Sequence, residues 1–209
     1  MFGSWDNAEA VKNIVVRSTA NFNWTTIFLI AVVVFIYGAL WRHKEYKLMV
    51  AGLSLYSVHW LCEICNALIA KIWGYPLWAC TNDSTSYLLL IGVSVELSMM
   101  FALAGICAYQ MLPADHTKKI FHLSVKWWVV IVMSILFSCV EIFLASTGKF
   151  LWVYPWWGAL LVCVTVYVPF FIAAIFVPDA PKKFQQIFLP SLVGLNILLL
   201  AILVPLGII

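Results

Sequence analysis

An all-α, polytopic membrane bundle is the fold class that the sequence predicts, and three observations predict it. Of 209 residues, 65% are apolar and 10% charged, with a mean hydropathy of +1.02; soluble domains carry about 45–50% and about 25%. A soluble chain of this length buries only about 70% of its surface on folding, so water is the wrong solvent for this composition. The apolar residues also fall into six continuous runs near the ~20 residues that cross a bilayer, and continuous runs exclude the alternation of a membrane β-barrel. The net charge of +3 is scattered over loops, with no basic stripe to follow a phosphate backbone. Nucleic acid is therefore not an expected partner.

The elements follow in order, as one transmembrane domain spanning 1–209. Residues 1–23 form an expected interfacial tail, in which Ser4 or Asp6 caps a short helix carrying Ala8, Val11, Ile14 and Val15 on one side. A frayed tail is the alternative. Membrane helices are expected over 24–41, 47–73, 86–111, 126–146, 153–177 and 184–209. Pro113, Pro178 and Pro181 sit in connections, where a missing amide costs nothing. Pro155 suits a first helical turn, and Pro169 is expected to bend the fifth helix. Trp24, Trp41, Trp73, Trp127, Trp128, Trp156 and Trp157 lie near helix ends, as interfacial anchors do.

Charge sets the expected orientation. Arg42, Lys44, Lys47, Lys118, Lys119, Lys126, Lys182 and Lys183 fall in the odd-numbered loops; only Lys12, Arg17, Lys71 and Lys149 face the other way. The positive-inside rule makes the odd loops cytoplasmic and both termini external. Asn23-Trp24-Thr25 and Asn82-Asp83-Ser84 then stand outside as glycosylation-type triplets. The six cysteines mostly lie within helices; Cys62-Glu63-Ile64-Cys65 is formally C-x-x-C, but a mid-helix pair beside a carboxylate favours small buried hydrophobes over redox chemistry.

Function is sought among the buried carboxylates. Glu63, Glu96 and Glu141 fall inside predicted helices, where an ionisable group costs several kcal/mol (about 2.5–3.5 for Asp at the helix centre). At 1.5 Å per residue all three reach similar heights, so they are expected to point into one cavity. His59, Glu63 and Asn66 share one helical face, and His59 is the natural proton exchanger. Carboxyls and an imidazole crowded in low dielectric cannot all be charged. Tyr154, Trp156, Trp157 and Tyr167 are expected to give the cavity an aromatic lining, with Asn196 reaching it from the last helix. The plain alternative is a hydrogen-bonded network that glues the helices together. No metal or cofactor is expected: neither Glu96 nor Glu141 has the His three residues on that a dimetal set supplies.

At these residues the chain resembles the emopamil-binding and sterol Δ8–Δ7 isomerase family, the EXPERA membrane proteins. The resemblance runs from the basic loop Arg42–Lys47 through His59-x-x-x-Glu63 and Glu96 to Tyr154-Pro155-Trp156-Trp157. It implies His59, Glu63 and Glu96 as proton-transfer and cation-stabilising groups. The reading is an intramembrane acid–base pocket in which His59, Glu63, Glu96 and Glu141 act on a lipophilic, sterol- or isoprenoid-like molecule. A proton-coupled transporter is the second reading. The third is a subunit in a homo-oligomer or larger membrane complex. The expected partners are the lipid bilayer and a lipophilic small molecule.

Overall fold

The computed structural model describes residues 2–82 and 87–209; Asp83 and Ser84 of the second triplet, and Ser86 at the start of the expected third helix, lie outside them. Among the described residues, five helical stretches are long and apolar enough to cross a membrane, and a sixth is shorter. They are α2 (Trp24–Arg42), α3 (Tyr46–Trp73), the short α4 (Val95–Gln110) and α5 (Val125–Ser146). The fifth span joins α6 (Ala159–Val162) to α7 (Val168–Phe176) through a π-helical turn, Cys163–Tyr167, and α8 (Lys182–Leu203) follows. α3 is central, packing on α4, α7 and α8, while α2 and α8 present nearly all their surface outward.

Two helix starts differ from expectation, and the last helix ends at Leu203 rather than 209. A short apolar run does not by hydropathy alone distinguish strand from helix. The third helix does not start near 86: β2 (Leu88–Leu90) and β3 (Val93–Ser94) form a tight antiparallel pair, and Ser94 caps α4 by accepting from Leu97 N–H at 3.3 Å. The fifth helix does not start at 153 either. β6 (Phe150–Trp152) pairs with β1 (Trp78–Cys80), residues Val153–Gly158 turn, and only then does α6 begin. Pro155 thus lies in the turn before the helix, not in its first turn. Pro169 offers no amide, and the chain widens just before it, Val168 N–H bonding back to the Cys163 carbonyl. β4 (Lys119–Ile120) and β5 (Leu123–Ser124) make a small hairpin on the basic face.

The N-terminal segment is not frayed; it carries the expected short helix, docked on the bundle. α1 (Asp6–Lys12) buries Ala8 and Val11, and Trp5 rather than Ser4 or Asp6 occupies its cap position. The segment is laced to the β1–β6 ribbon: Gly3 N–H donates to Trp157 O at 2.8 Å, and Asn7 Nδ2 to Trp152 O at 2.8 Å. Arg17 donates its amide to Leu88 O and its guanidinium to Leu89 O and Ile209 O, tying tail, β2 and the last residues together.

On the basic face Asp179 draws in four partners. Its Oδ1 accepts from Lys47 and Tyr109, and its Oδ2 contacts Lys126 and His116, all at 2.7–2.8 Å. Above this latch α3 and α4 cross backbone to backbone. A Cβ at Gly105 would meet the Ala51 carbonyl oxygen at 2.5 Å, and one at Gly52 would meet Ile106 Cγ1 at 2.9 Å. Small residues at such crossings let membrane helices gain dispersion contact that lipid does not offer. Gly105→Ala should therefore lower thermal stability by about 1–3 kcal/mol through overpacking. Gly38→Ala, where a Cβ meets nothing within 4 Å, should be neutral or stabilising by up to ~1 kcal/mol. Equal unfolding midpoints for the two variants in detergent would contradict this packing.

Candidate functional site

Three of the four expected acid–base residues meet in one cavity toward the ribbon end of the bundle. His59 and Glu63 of α3 and Glu141 of α5 line it together with Trp78, Phe101, Phe137, Tyr167 and Phe170. About 30 Å³ is open to the centre of a water molecule, space for about two waters where ~10–15 Å³ suffices for one. Glu96 does not join them. Because α4 begins at Val95, Glu96 sits in the first helical turn rather than ten residues deep. It lines a second chamber of about 210 Å³ with Cys80, Thr81, Ser94 and Lys149. Both chambers are walled by Leu97, Leu144 and Phe150.

The β1–β6 ribbon roofs the inner cavity and supplies its main donors. Trp78 and Trp152 are direct partners in the ladder, so their side chains leave the ribbon on the same side. Trp78 Nε1–H donates to both oxygens of Glu63, at 3.2 and 3.3 Å. Trp152 Nε1–H donates to Glu141 Oε1 at 2.5 Å, and the Tyr167 hydroxyl donates to Glu141 Oε2. The π-helical turn ends on Tyr167, an irregularity often found where a helix must aim a functional side chain. Gly92 closes the roof, since a Cβ there would stand 2.5 Å from Trp78 Nε1 and 2.6 Å from Asn66 Nδ2.

His59 differs from Glu63 and Glu141 in having no hydrogen bond. Its ring stacks on Phe101 with centroids 4.3 Å apart and meets Phe170 edge-on. Both ring nitrogens are buried without a hydrogen-bond partner, and Nε2 stands 3.6 Å from Glu63 Oε1. That separation is too long for a hydrogen bond. Every protonation state of imidazole has at least one N–H donor, so His59 holds unspent capacity beside the cavity. Among the described residues, no three His, Cys, Asp or Glu side chains converge as a metal site.

The expected lining residues divide. Tyr167 is in the wall. Asn66 is not: its Oδ1 accepts from Leu77 N–H and its Nδ2 donates to Trp78 O, both at 2.8 Å, which fixes the chain entering β1. Tyr154 bonds to Tyr75 O and packs on Trp5 outside the ribbon; Trp156 is half exposed. Trp157 stacks on Trp78 from behind. These three miss the cavity because the helix expected to carry them starts after them. Asn196 donates to Ser57 O at 2.7 Å and lines a separate groove between α3 and α8. Of the C-x-x-C pair, Cys65 faces outward and Cys62 is half-buried. Sequence reasoning missed Trp78 and Trp152 as carboxylate partners; the only signal was one Trp in each of two short apolar segments outside the helices.

Residues 6–205 match the family described as "Uncharacterized membrane protein family". The chain belongs to that family. A relative from Archaeoglobus fulgidus, described as "Uncharacterized protein", is 37% identical over 168 residues, covering 79% of this chain and 80% of its own length. No solved structure matches. Membership in this family, and not in the sterol isomerases, overturns the EXPERA resemblance, which rested on a handful of spaced residues. For the family member described here, the site makes a direct forecast. Trp152→Phe removes the donor to Glu141 and should destabilise by about 1–3 kcal/mol more than Trp157→Phe, because Trp157 Nε1 has no hydrogen-bond partner to lose. Unfolding midpoints of the two variants check this; equal losses would contradict it.

Proposed function

We propose that this integral membrane protein is an acid–base site for a lipophilic molecule that enters from the bilayer between α4 and α5. The observation that carries the proposal is the inner cavity itself: two indole-held carboxyls and an unbonded imidazole facing one small, aromatic-walled space. A self-satisfied structural network would leave no such capacity unspent. α4 and α5 are consecutive in the bundle yet barely touch. Leu97 and Met100 of α4, and Phe137, Val140 and Leu144 of α5, line the cleft between them. These flexible apolar side chains make a doorway suited to lipid rather than water.

In this reading Glu63 and His59, 3.6 Å apart, exchange the proton with the bound molecule. Glu141 remains fixed by Trp152 and Tyr167 and stabilises positive charge that develops on the ligand, aided by the faces of Phe101 and Phe170. The narrow space admits a chain or its end, such as an unsaturated hydrocarbon segment. With the basic loops at the cytoplasm, the ribbon and both termini lie outside and the cavity sits in the outer half of the membrane. Proton-coupled transport needs a route to the basic face, where the α3–α4 crossing is packed backbone to backbone; no observation favours it.

The test does not require a known substrate. Purified protein in D₂O is incubated with the total lipid extract of the cells that express it, and lipids are analysed by mass for deuterium bound to carbon. The wild type should label a lipid class, with rates falling about 10²–10⁴-fold in Glu63→Gln and His59→Phe variants that still elute as the wild type does. No labelling, or equal labelling by the variants, would overturn the proposal.

A further inference from the structure

The outer chamber is unexplained by proton transfer. Both carboxylate oxygens of Glu96 are buried without a hydrogen-bond partner, an expensive arrangement unless something donates to them. Around them about 210 Å³ is open, several times what a single water needs. The remaining lining is polar toward the ribbon, with Thr81, Ser94 and Lys149, and apolar toward the cleft, with Leu97, Leu144 and Phe150. Other polar groups there are already engaged: Thr81 Oγ1 donates to Gly148 and Lys149 carbonyls, Cys80 Sγ to Gly92 O, and Ser94 caps α4. Glu96 is thus the acceptor left to a guest. The three apolar residues also wall the inner cavity, so the two chambers are neighbours that share these side chains.

We propose that the outer chamber is a head-group site, holding the hydrogen-bond-donating end of an amphiphile, a hydroxyl or an ammonium, on Glu96. The apolar chain of the same molecule then passes Leu97, Leu144 and Phe150 toward His59, Glu63 and Glu141. This rests on the acid–base reading and names its ligand class: a single-chain lipophile with a donor head, whose chain rather than head meets the proton-handling groups. Glu96 is here a binding residue and takes no part in proton transfer.

The test uses the full chain in lipid nanodiscs, titrated with farnesol, farnesylamine and farnesyl methyl ether, with empty nanodiscs subtracted and binding read from tryptophan fluorescence. The ether keeps the chain and lacks the donor. The wild type should bind the alcohol or the amine about 10- to 100-fold more tightly than the ether, and the preferred head identifies which donor the site takes. Glu96→Met should abolish that preference without weakening ether binding, while Glu63→Gln should keep it. A wild type that does not discriminate, or a Glu96→Met variant that still does, overturns the inference. Deuterium labelling reports separately: labelling intact with no head-group preference sinks this inference alone, and preference intact without labelling sinks the proton-transfer reading alone.

Discussion

Two carboxyl groups buried among hydrocarbon must be met by donors, and nearly every irregular feature of this molecule serves that need. Glu63 and Glu141 come from different helices, and neither helix carries the donor that its carboxyl uses. The donors come from elsewhere: two indoles from facing positions of one short antiparallel ribbon and, for Glu141, the Tyr167 hydroxyl of the fifth span. Indole suits the task because its apolar body is at home in the bundle while its single N–H reaches the acid. The ribbon can hold both indoles in place only if it cannot drift.

That requirement explains the lacing on this face. The first residues bond to Trp152 and Trp157, Asn66 fixes the approach to β1, and Arg17 ties the tail to the neighbouring hairpin. Gly92 lets that hairpin come within contact of Trp78 and Asn66. The opposite end of the bundle is secured differently, by small residues in the α3–α4 crossing and by the charged latch at Asp179. Between the two anchored ends, α4 and α5 meet only sparsely and leave a seam in the wall.

Much of this architecture was legible in the sequence. The cost of an ionisable group in a membrane singled out Glu63 and Glu141, and the only histidine within a span led to His59; the structure gathers all three. Hydropathy located every long span. It failed at 88–94, where a short apolar run became a strand pair, and at 153–158, where an aromatic run turns before the helix begins. That failure displaced Glu96 to a first helical turn and moved Tyr154, Trp156 and Trp157 out of the pocket. The Trp78–Trp152 pairing joins residues distant in sequence, and register between two three-residue strands leaves no periodic trace. Asn66 shares the face of His59 and Glu63 as its spacing suggests, yet it is consumed by the backbone of β1. The sterol-isomerase likeness rested on order and spacing alone, and such patterns recur wherever a helix buries a His and a Glu.

The pairing of each buried acid with its own indole is directly measurable. In ¹H–¹⁵N spectra of protein labelled at tryptophan, two of the 11 indole N–H signals should lie downfield and resist exchange with water. Glu63→Gln should move the Trp78 signal and leave that of Trp152, and Glu141→Gln should do the reverse. Indole signals at both positions that exchange freely, or that ignore both substitutions, would contradict the account.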